Sequence, residues 1–200
     1  MNITNSDHFT FNLDNSALLV GQTGTGKTEL VRRYIRRLER AFTKNEMKYV
    51  IFDMKVVEFD SNYEGGAKEE YLLHSVITSP QEGMAYLEEL AKLAMQRATG
   101  NILKPFIFIY IEECDIAAVH HERFEQAVVT INKQAKNANM KLIFATSRPS
   151  CDIITPVLRD SFDLILCGRL ASDTDQKTLG VTGVLDLPPY QFLVKETVTR

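Results

Sequence analysis

Short apolar runs alternate with amphipathic stretches along most of the chain of 200 residues. Continuous apolar runs of this length are typical of strands that are buried on both faces of a parallel sheet. The pattern predicts strands at Ala17–Val20, Tyr49–Phe52, His74–Thr78, Phe106–Ile111, Leu142–Thr146, Leu164–Cys167 and Gln191–Val194. The glycines and acids of residues 55–70 predict a loop.

The stretches between these runs predict helices. Leu30, Tyr34 and Leu38 recur at helical spacing within Thr28 to about Phe42. A second helix is predicted to start at Ser79-Pro80-Gln81-Glu82, where Ser79 and Glu82 would form a capping box, and to run to about Arg97. Further helices are predicted at 121–138 and around 154–162. The alternation of strand and helix predicts an α/β fold with a mainly parallel sheet, and the absence of repeats and linkers predicts a single domain over residues 1–200.

The first predicted strand leads into Gly21-Gln22-Thr23-Gly24-Thr25-Gly26-Lys27-Thr28, which fits the Walker A pattern G-x-x-x-x-G-K-[ST] in its required context between a strand and a helix. Glycine lets backbone N–H groups wrap phosphates, and the helix N-terminus adds a positive dipole. Lys27 is expected to reach the β- and γ-phosphates, and the Thr28 hydroxyl to bind Mg²⁺. The predicted ATP-binding residues are Gly21, Gln22, Thr23, Gly24, Thr25, Gly26, Lys27, Thr28 and Glu29.

The strand Phe106–Ile111 ends in two adjacent carboxylates. Glu112 is expected to support the Mg²⁺ shell, and Glu113 to orient or deprotonate the attacking water, with Asp115 as the alternative acid. The strand Leu142–Thr146 similarly ends in Ser147 and Arg148, a position that can sense a γ-phosphate or simply terminate a strand.

Composition excludes several classes of protein. With 44% hydrophobic and 24% charged residues, the chain is an ordinary globular protein rather than a disordered one. A net charge of −3 does not suit a protein that coats DNA by bulk charge, so DNA contacts would be confined to a patch, a groove or the lining of an assembly. The five arginines between Arg32 and Arg40 are interpreted as a solvated helix face rather than as a DNA contact.

The remaining chemistry-bearing residues give weaker signals. Cys114, Cys151 and Cys167 are interpreted as buried, reduced thiols of a cytoplasmic protein, and neither a membrane segment nor a signal peptide is visible. The cluster His120-His121-Glu122 lacks the further ligands of a zinc site.

From about Ala17 to Val194 the chain resembles the FtsK/SpoIIIE DNA translocases of the FtsK–HerA group of P-loop ATPases. The resemblance extends beyond the P-loop to Ile51–Phe59, where Met54 replaces a proline, and to Tyr63-Glu64-Gly65 and Leu72–Glu82. It is strongest at Ala145–Thr155, where Ser147 replaces a glutamine. Gly168–Leu179 matches a further family segment, with Lys177 where the family has arginine.

The resemblance implies a RecA-like motor core that hydrolyses ATP as a homo-oligomeric ring, most simply a hexamer, around double-stranded DNA. It also implies that a basic residue, Lys177 by position or Arg169 by chemistry, reaches the nucleotide of a neighbouring subunit. We expect the bare core, without a membrane anchor, long linker or winged helix. A packaging or transfer ATPase, a protein-secretion ATPase and a nucleotide-binding regulator remain alternatives.

Overall fold

A computed structural model of the chain describes residues 1–55, 59, 66–113, 115–150 and 152–197. Its strands are β1 (Asn2–Asn5), β2 (Ala17–Val20), β3 (Met47–Asp53), β4 (Phe106–Glu112), β5 (Met140–Thr146), β6 (Leu164–Cys167) and β7 (Gln191–Glu196). Its helices are α1 (Lys27–Ala41), α2 (Pro80–Gly100), α3 (Asp115–Val119), α4 (His121–Ala138), α5 (Pro156–Asp160) and α6 (Asp173–Leu179), with a 3₁₀ turn at Glu69–Tyr71.

The seven strands form one sheet in the order β1-β7-β6-β2-β5-β4-β3. The run from β6 to β3 is parallel throughout, whereas β7 is antiparallel to β6 and β1 is antiparallel to β7. Every residue of β2, β4, β5 and β6 is buried, as their continuous apolar sequences predict. The predicted α/β fold with a mainly parallel sheet is confirmed.

Helices cover both faces of the sheet and create two apolar layers. On one face, Leu30, Tyr34 and Leu38 of α1 pack with residues such as Phe108 of β4. On the other face, α2 and α4 pack against alternate residues of the same strands. Residues that alternate along a buried strand therefore contribute to opposite layers, which is why β4 and β5 must be apolar at nearly every position.

The predicted strand His74–Thr78 is wrong. Within this segment Ile77 alone pairs with the edge of β3, in an isolated bridge to Phe52, and a second isolated bridge joins Leu72, which precedes the segment, to Tyr49. Between the bridges the chain bends away, and His74 packs its ring against Tyr86 of α2 at 4.5 Å between centroids. The pairing with β3 is thus interrupted at His74, a polar residue that packs against α2.

The predicted capping box at α2 is also absent. The helix begins at Pro80, but the Ser79 side chain makes no capping hydrogen bond to the backbone. Its hydroxyl instead donates to Oε1 of Gln81 at 3.3 Å. The sequence pattern does not predict α3, α6 or β1, because each is short, and α6 and β1 are also largely polar.

The N-terminal segment lies along α1 and covers part of its arginine-rich face. Arg33 contacts Asp7 and donates to the Ser6 hydroxyl at 2.8 Å, while Arg37 donates to the Thr10 hydroxyl at 2.7 Å. The interpretation of this face as solvated therefore holds only in part, because two of its arginines fasten the chain that leads to β2.

A buried lysine anchors the end of the same segment. Lys141 of β5 donates from Nζ to the carbonyl of Asn12, and its ammonium lies 5.0 Å from the ring centre of Phe11 and 4.8 Å from that of Tyr34. Burial lowers the pKa of Lys141 to about 7, against the opposing effect of Asp14 and Asp163. The ammonium is stabilised by a carbonyl and two π faces rather than by water.

Cys167 is a buried free thiol, as predicted, and burial raises its pKa to about 12, whereas Cys114 and Cys151 lie outside the described residues. Tyr63-Glu64-Gly65 also lies outside them. No helix in the described parts of the chain is both long and apolar enough to cross a membrane.

Candidate nucleotide-binding site

The register of the parallel strands brings the predicted site residues to one edge of the sheet. Val20, the last residue of β2, pairs with Thr146 of β5, and Ala145 pairs with Glu112 of β4. Asp53 at the end of β3 pairs with Glu112 in turn. The P-loop that follows β2 and the two acids that end β4 are therefore separated by a single strand, β5.

The P-loop packs tightly on the end of β6. A Cβ added to Gly21 would lie 2.9 Å from the Thr25 hydroxyl oxygen and 3.2 Å from the Cα of Gly168, so the loop or its neighbour would have to shift to admit a side chain. The Thr25 hydroxyl donates to the carbonyl of Gln22 at 2.8 Å and closes the loop on itself. Gly26 is the N-cap of α1 and has φ +95°, a conformation that glycine adopts without steric cost.

Lys27 points back into this loop. Its Nζ donates to the carbonyl of Gly21 at 2.6 Å, and the side chain is only 6% exposed. Burial lowers the pKa of Lys27, and the charges of Glu112 and Glu113 partly oppose this effect. The loop thus holds a desolvated ammonium that a phosphate group would stabilise, which is the chemistry predicted from the sequence.

Glu112 is the buried member of the acid pair. It is 5% exposed, and the hydroxyl of Tyr110 donates to its Oε2. Thr28 lies half-buried at the start of α1. A carboxylate and a hydroxyl are oxygen donors of the kind that Mg²⁺ prefers, so the residues fit the expected ion.

Glu113 is held in a defined orientation by its neighbours. Its backbone has φ +64°, and its N–H donates to the carbonyl of Ala145 at 2.8 Å. The Ser147 N–H donates to Oε2 at 3.0 Å, the Ser147 hydroxyl donates to Oε1, and Lys55 Nζ lies 3.3 Å from Oε1.

These contacts determine the charge of Glu113. Burial alone would raise the pKa of the carboxyl group, but the hydrogen bonds from Ser147 and the charges of Lys55 and Lys27 outweigh it and bring the pKa below its ordinary value. The carboxylate is therefore ionised at neutral pH and can accept a proton.

The sequence did not single out Lys55 or Ser147 as partners of Glu113. Lys55 follows Asp53, whose Oδ1 accepts from the Lys55 N–H at 3.2 Å and shapes the turn after β3. Both residues lie in stretches that resemble the family motifs, and this was the available signal. Their contact with Glu113 joins three strand ends and follows only from the sheet order.

A cavity of about 540 Å³ opens between these strand ends. Its lining residues are Gln22, Thr23, Lys55, Glu113, Asp115, Ser147, Arg148 and Ala171. Because it lies between the P-loop and Glu113, it has the position that a γ-phosphate and an attacking water would require.

Arg169 and Lys177, the two basic residues expected to reach the nucleotide of a neighbouring subunit, lie in different surroundings. Arg169 donates from Nε to Oε1 of Gln22 at 3.1 Å, so it lies beside the P-loop of its own chain. Lys177 is exposed on α6. Arg159, by contrast, is occupied by Asp160 and by the carbonyl of Thr178.

The family model of FtsK/SpoIIIE matches residues 2–181. The chain belongs to the FtsK/SpoIIIE family. The resemblance noted from the motifs is thereby confirmed.

Curated relatives within this family are much longer proteins. The chain is 27% identical over 193 residues to the DNA translocase FtsK of Staphylococcus aureus (strain Mu50 / ATCC 700699), with 83% of this chain and 24% of the relative covered. It is 25% identical over 189 residues to the FtsK of Streptococcus pneumoniae (strain ATCC BAA-255 / R6), with 81% and 24% covered. The chain spans about a quarter of the length of these relatives.

Solved structures share the fold at lower identity. The pCW3 conjugation coupling protein TcpA, solved with ATPγS, has a TM-score of 0.74 and 20% identity over 93% of this chain and 58% of that one. The genome packaging NTPase B204 of Sulfolobus turreted icosahedral virus 2, solved with AMP, has a TM-score of 0.63 and 19% identity, with 94% of both chains covered.

Proposed function

We propose that the chain is the motor core of a DNA translocase of the FtsK/SpoIIIE type, which hydrolyses ATP with Mg²⁺ as a hexameric ring around duplex DNA. The observation that carries the proposal is the convergence of Lys27, Glu112 and Glu113 at one edge of the sheet, in a chain of this family. The relatives named above as DNA translocases support DNA as the partner.

In the proposed reaction, each residue has a separate task. Lys27 exchanges its loop carbonyls for the β- and γ-phosphates, and Thr28 and Glu112 would hold Mg²⁺, which when bound neutralises charge on the phosphates. Glu113, kept ionised by its partners, orients the attacking water and accepts its proton. Ser147 and Lys55 determine where that carboxylate points.

In the proposed ring of subunits, a neighbouring subunit completes the nucleotide-binding site. The cavity beside Glu113 is open to solvent, and a cation from a neighbouring subunit would close it and stabilise charge in the transition state. We favour Lys177 for this task, because Arg169 is already bound to Gln22 of its own chain. A ring also accommodates a net charge of −3, since only the loops that face DNA need to be basic.

The decisive experiment measures ATP hydrolysis with and without duplex DNA. We expect DNA to stimulate hydrolysis by the parent chain, and we expect Lys27→Ala to abolish hydrolysis. Lys92→Ala, which removes an exposed lysine of α2, is the matched control and should behave like the parent. A hydrolysis rate that is the same with and without DNA would refute the DNA motor and favour a secretion ATPase or a regulator. Hydrolysis by Lys27→Ala at the parental rate would refute the nucleotide site.

A further inference from the structure

Tyr190 occupies an unusual position in the turn before β7. Its backbone has φ +65°, which is uncommon for a residue with a side chain, and the tyrosine is 49% exposed. Its N–H donates to the carbonyl of Thr25 at 3.0 Å, and its carbonyl accepts from the Ser6 N–H at 2.7 Å. The turn is therefore fastened to the P-loop on one side and to the N-terminal segment on the other.

The ring of Tyr190 rests directly on the P-loop. A Cβ added to Gly26 would lie 2.5 Å from Cδ1 and 2.9 Å from Cε1 of the ring, so the ring occupies the space that any side chain at this position would fill. Half of a large aromatic residue nevertheless remains open to solvent. An unfavourable backbone conformation that places an exposed ring on a phosphate-binding loop points to a ligand.

The orientation of the phosphates along the P-loop places the base of a bound nucleotide on the side of the loop that Tyr190 contacts. The γ-phosphate must face the cavity beside Glu113, which the early loop residues Gln22 and Thr23 line. The α-phosphate and the nucleoside then leave at the opposite end, where Gly26 and Lys27 begin α1. Tyr190 contacts the loop at that end and is absent from the residues that line the cavity.

We propose that the ring of Tyr190 is the stacking surface for the base of the bound nucleotide. The proposal rests on the function proposed above and adds how its site binds the nucleoside. Stacking tolerates any base, because every base has a π face, and it favours the larger surface of a purine. The ring therefore favours a purine nucleoside triphosphate, and stacking alone does not distinguish ATP from GTP.

The test compares binding of ATP with binding of inorganic tripolyphosphate, each with Mg²⁺, by titration calorimetry. Tyr190→Gly removes the ring and suits the positive φ, so it separates loss of stacking from backbone strain. We expect its dissociation constant for ATP to rise roughly 5- to 100-fold, the usual range for one base–aromatic stack, while tripolyphosphate binding is unchanged. Tyr190→Phe should bind ATP like the parent, as should the control Tyr86→Ala on α2.

A second variant gives an optical readout. The chain contains no tryptophan, so Tyr190→Trp would supply the sole indole, and stacking of ATP should quench its fluorescence whereas tripolyphosphate should not. Unchanged ATP affinity in Tyr190→Gly, equal losses for both ligands, or an indole that does not respond to saturating ATP would overturn the proposal. If the parent bound neither ligand, the phosphate site itself would be wrong.

Discussion

Glu113 acquires its properties from residues that are distant in the sequence. Ser147 fixes both carboxylate oxygens, Lys55 adds a positive charge, and the backbone bond to Ala145 holds the residue in its left-handed conformation. Glu112, one residue earlier, points instead toward Tyr110 and is buried. Two neighbouring acids of the same type thus have different surroundings, which suits the different tasks that we propose for them.

The first prediction separates the two acids. Glu113→Gln keeps the shape of the side chain but removes the proton acceptor, so ATP should still bind while hydrolysis falls roughly 10²–10⁴-fold. Glu112→Gln should instead raise the Mg²⁺ concentration needed for half-maximal activity. Steady-state rates over a Mg²⁺ titration measure both effects. Near-parental turnover in Glu113→Gln would assign the base elsewhere, with Asp115 the next candidate.

The second prediction concerns Lys55. Its charge helps to lower the pKa of Glu113, together with Lys27 and the hydrogen bonds from Ser147. Lys55→Ala should raise that pKa, so the acidic limb of the profile of kcat/KM against pH should move to higher pH. Lys55→Arg retains the charge and should restore the parental limb. Identical acidic limbs in Lys55→Ala and the parent would exclude this electrostatic role.

A strand could be predicted from the sequence when its own residues, rather than contacts with distant residues, determine its structure. Buried parallel strands such as β4 and β5 could be predicted because both faces demand apolar residues. The segment His74–Thr78 is more polar and lies at the sheet edge, where His74 packs against Tyr86 of α2 and strand pairing is limited to an isolated bridge. The short edge strand β1 has no apolar signal, and its position comes from pairing with β7.

The third prediction concerns the anchor that attaches residues 11–14 to β5. The pKa of Lys141 is about 7 in the folded chain against about 10.5 when unfolded, so between these values the unfolded state binds more protons and stability rises with pH. Lys141→Met removes this dependence. From pH 6 to pH 9 the parent should gain about 2–3 kcal/mol of unfolding free energy relative to the variant, measured by urea denaturation. Parallel pH profiles would show that Lys141 does not titrate in this range.

The candidate nucleotide-binding site forms only where strands from different parts of the chain meet. The P-loop and the acid pair were predictable, because each is a local motif at a strand end. The contacts of Lys55 and Ser147 with Glu113, and of Tyr190 with the P-loop, were not predicted, since they depend on the order of the strands in the sheet. The cavity beside Glu113 stays open to solvent, and we propose that a neighbouring subunit closes it.

The fourth prediction is that a neighbouring subunit closes the open side of the cavity. If Lys177 completes the site of a neighbour, hydrolysis per chain should rise with protein concentration, and mixing Lys27→Ala with Lys177→Ala should restore part of the activity lost in each. A neighbouring cation contributes up to about 10³–10⁵ in rate in known cases, so even rare intact interfaces would be measurable. Lys27→Ala mixed with itself is the control. A flat rate per chain without rescue would leave a self-contained ATPase.

The pairing of β1 with β7 has a consequence for the connectivity of the fold. Asn2 lies opposite Val194, which places the two segments about 5 Å apart at the edge of the sheet. A few added residues could join them, and the chain could then be opened in the exposed loop 101–104 without breaking a strand ladder. The P-loop would follow Glu113 in such a circular permutant, yet both would meet at the same edge, because strand register rather than chain order assembles the site.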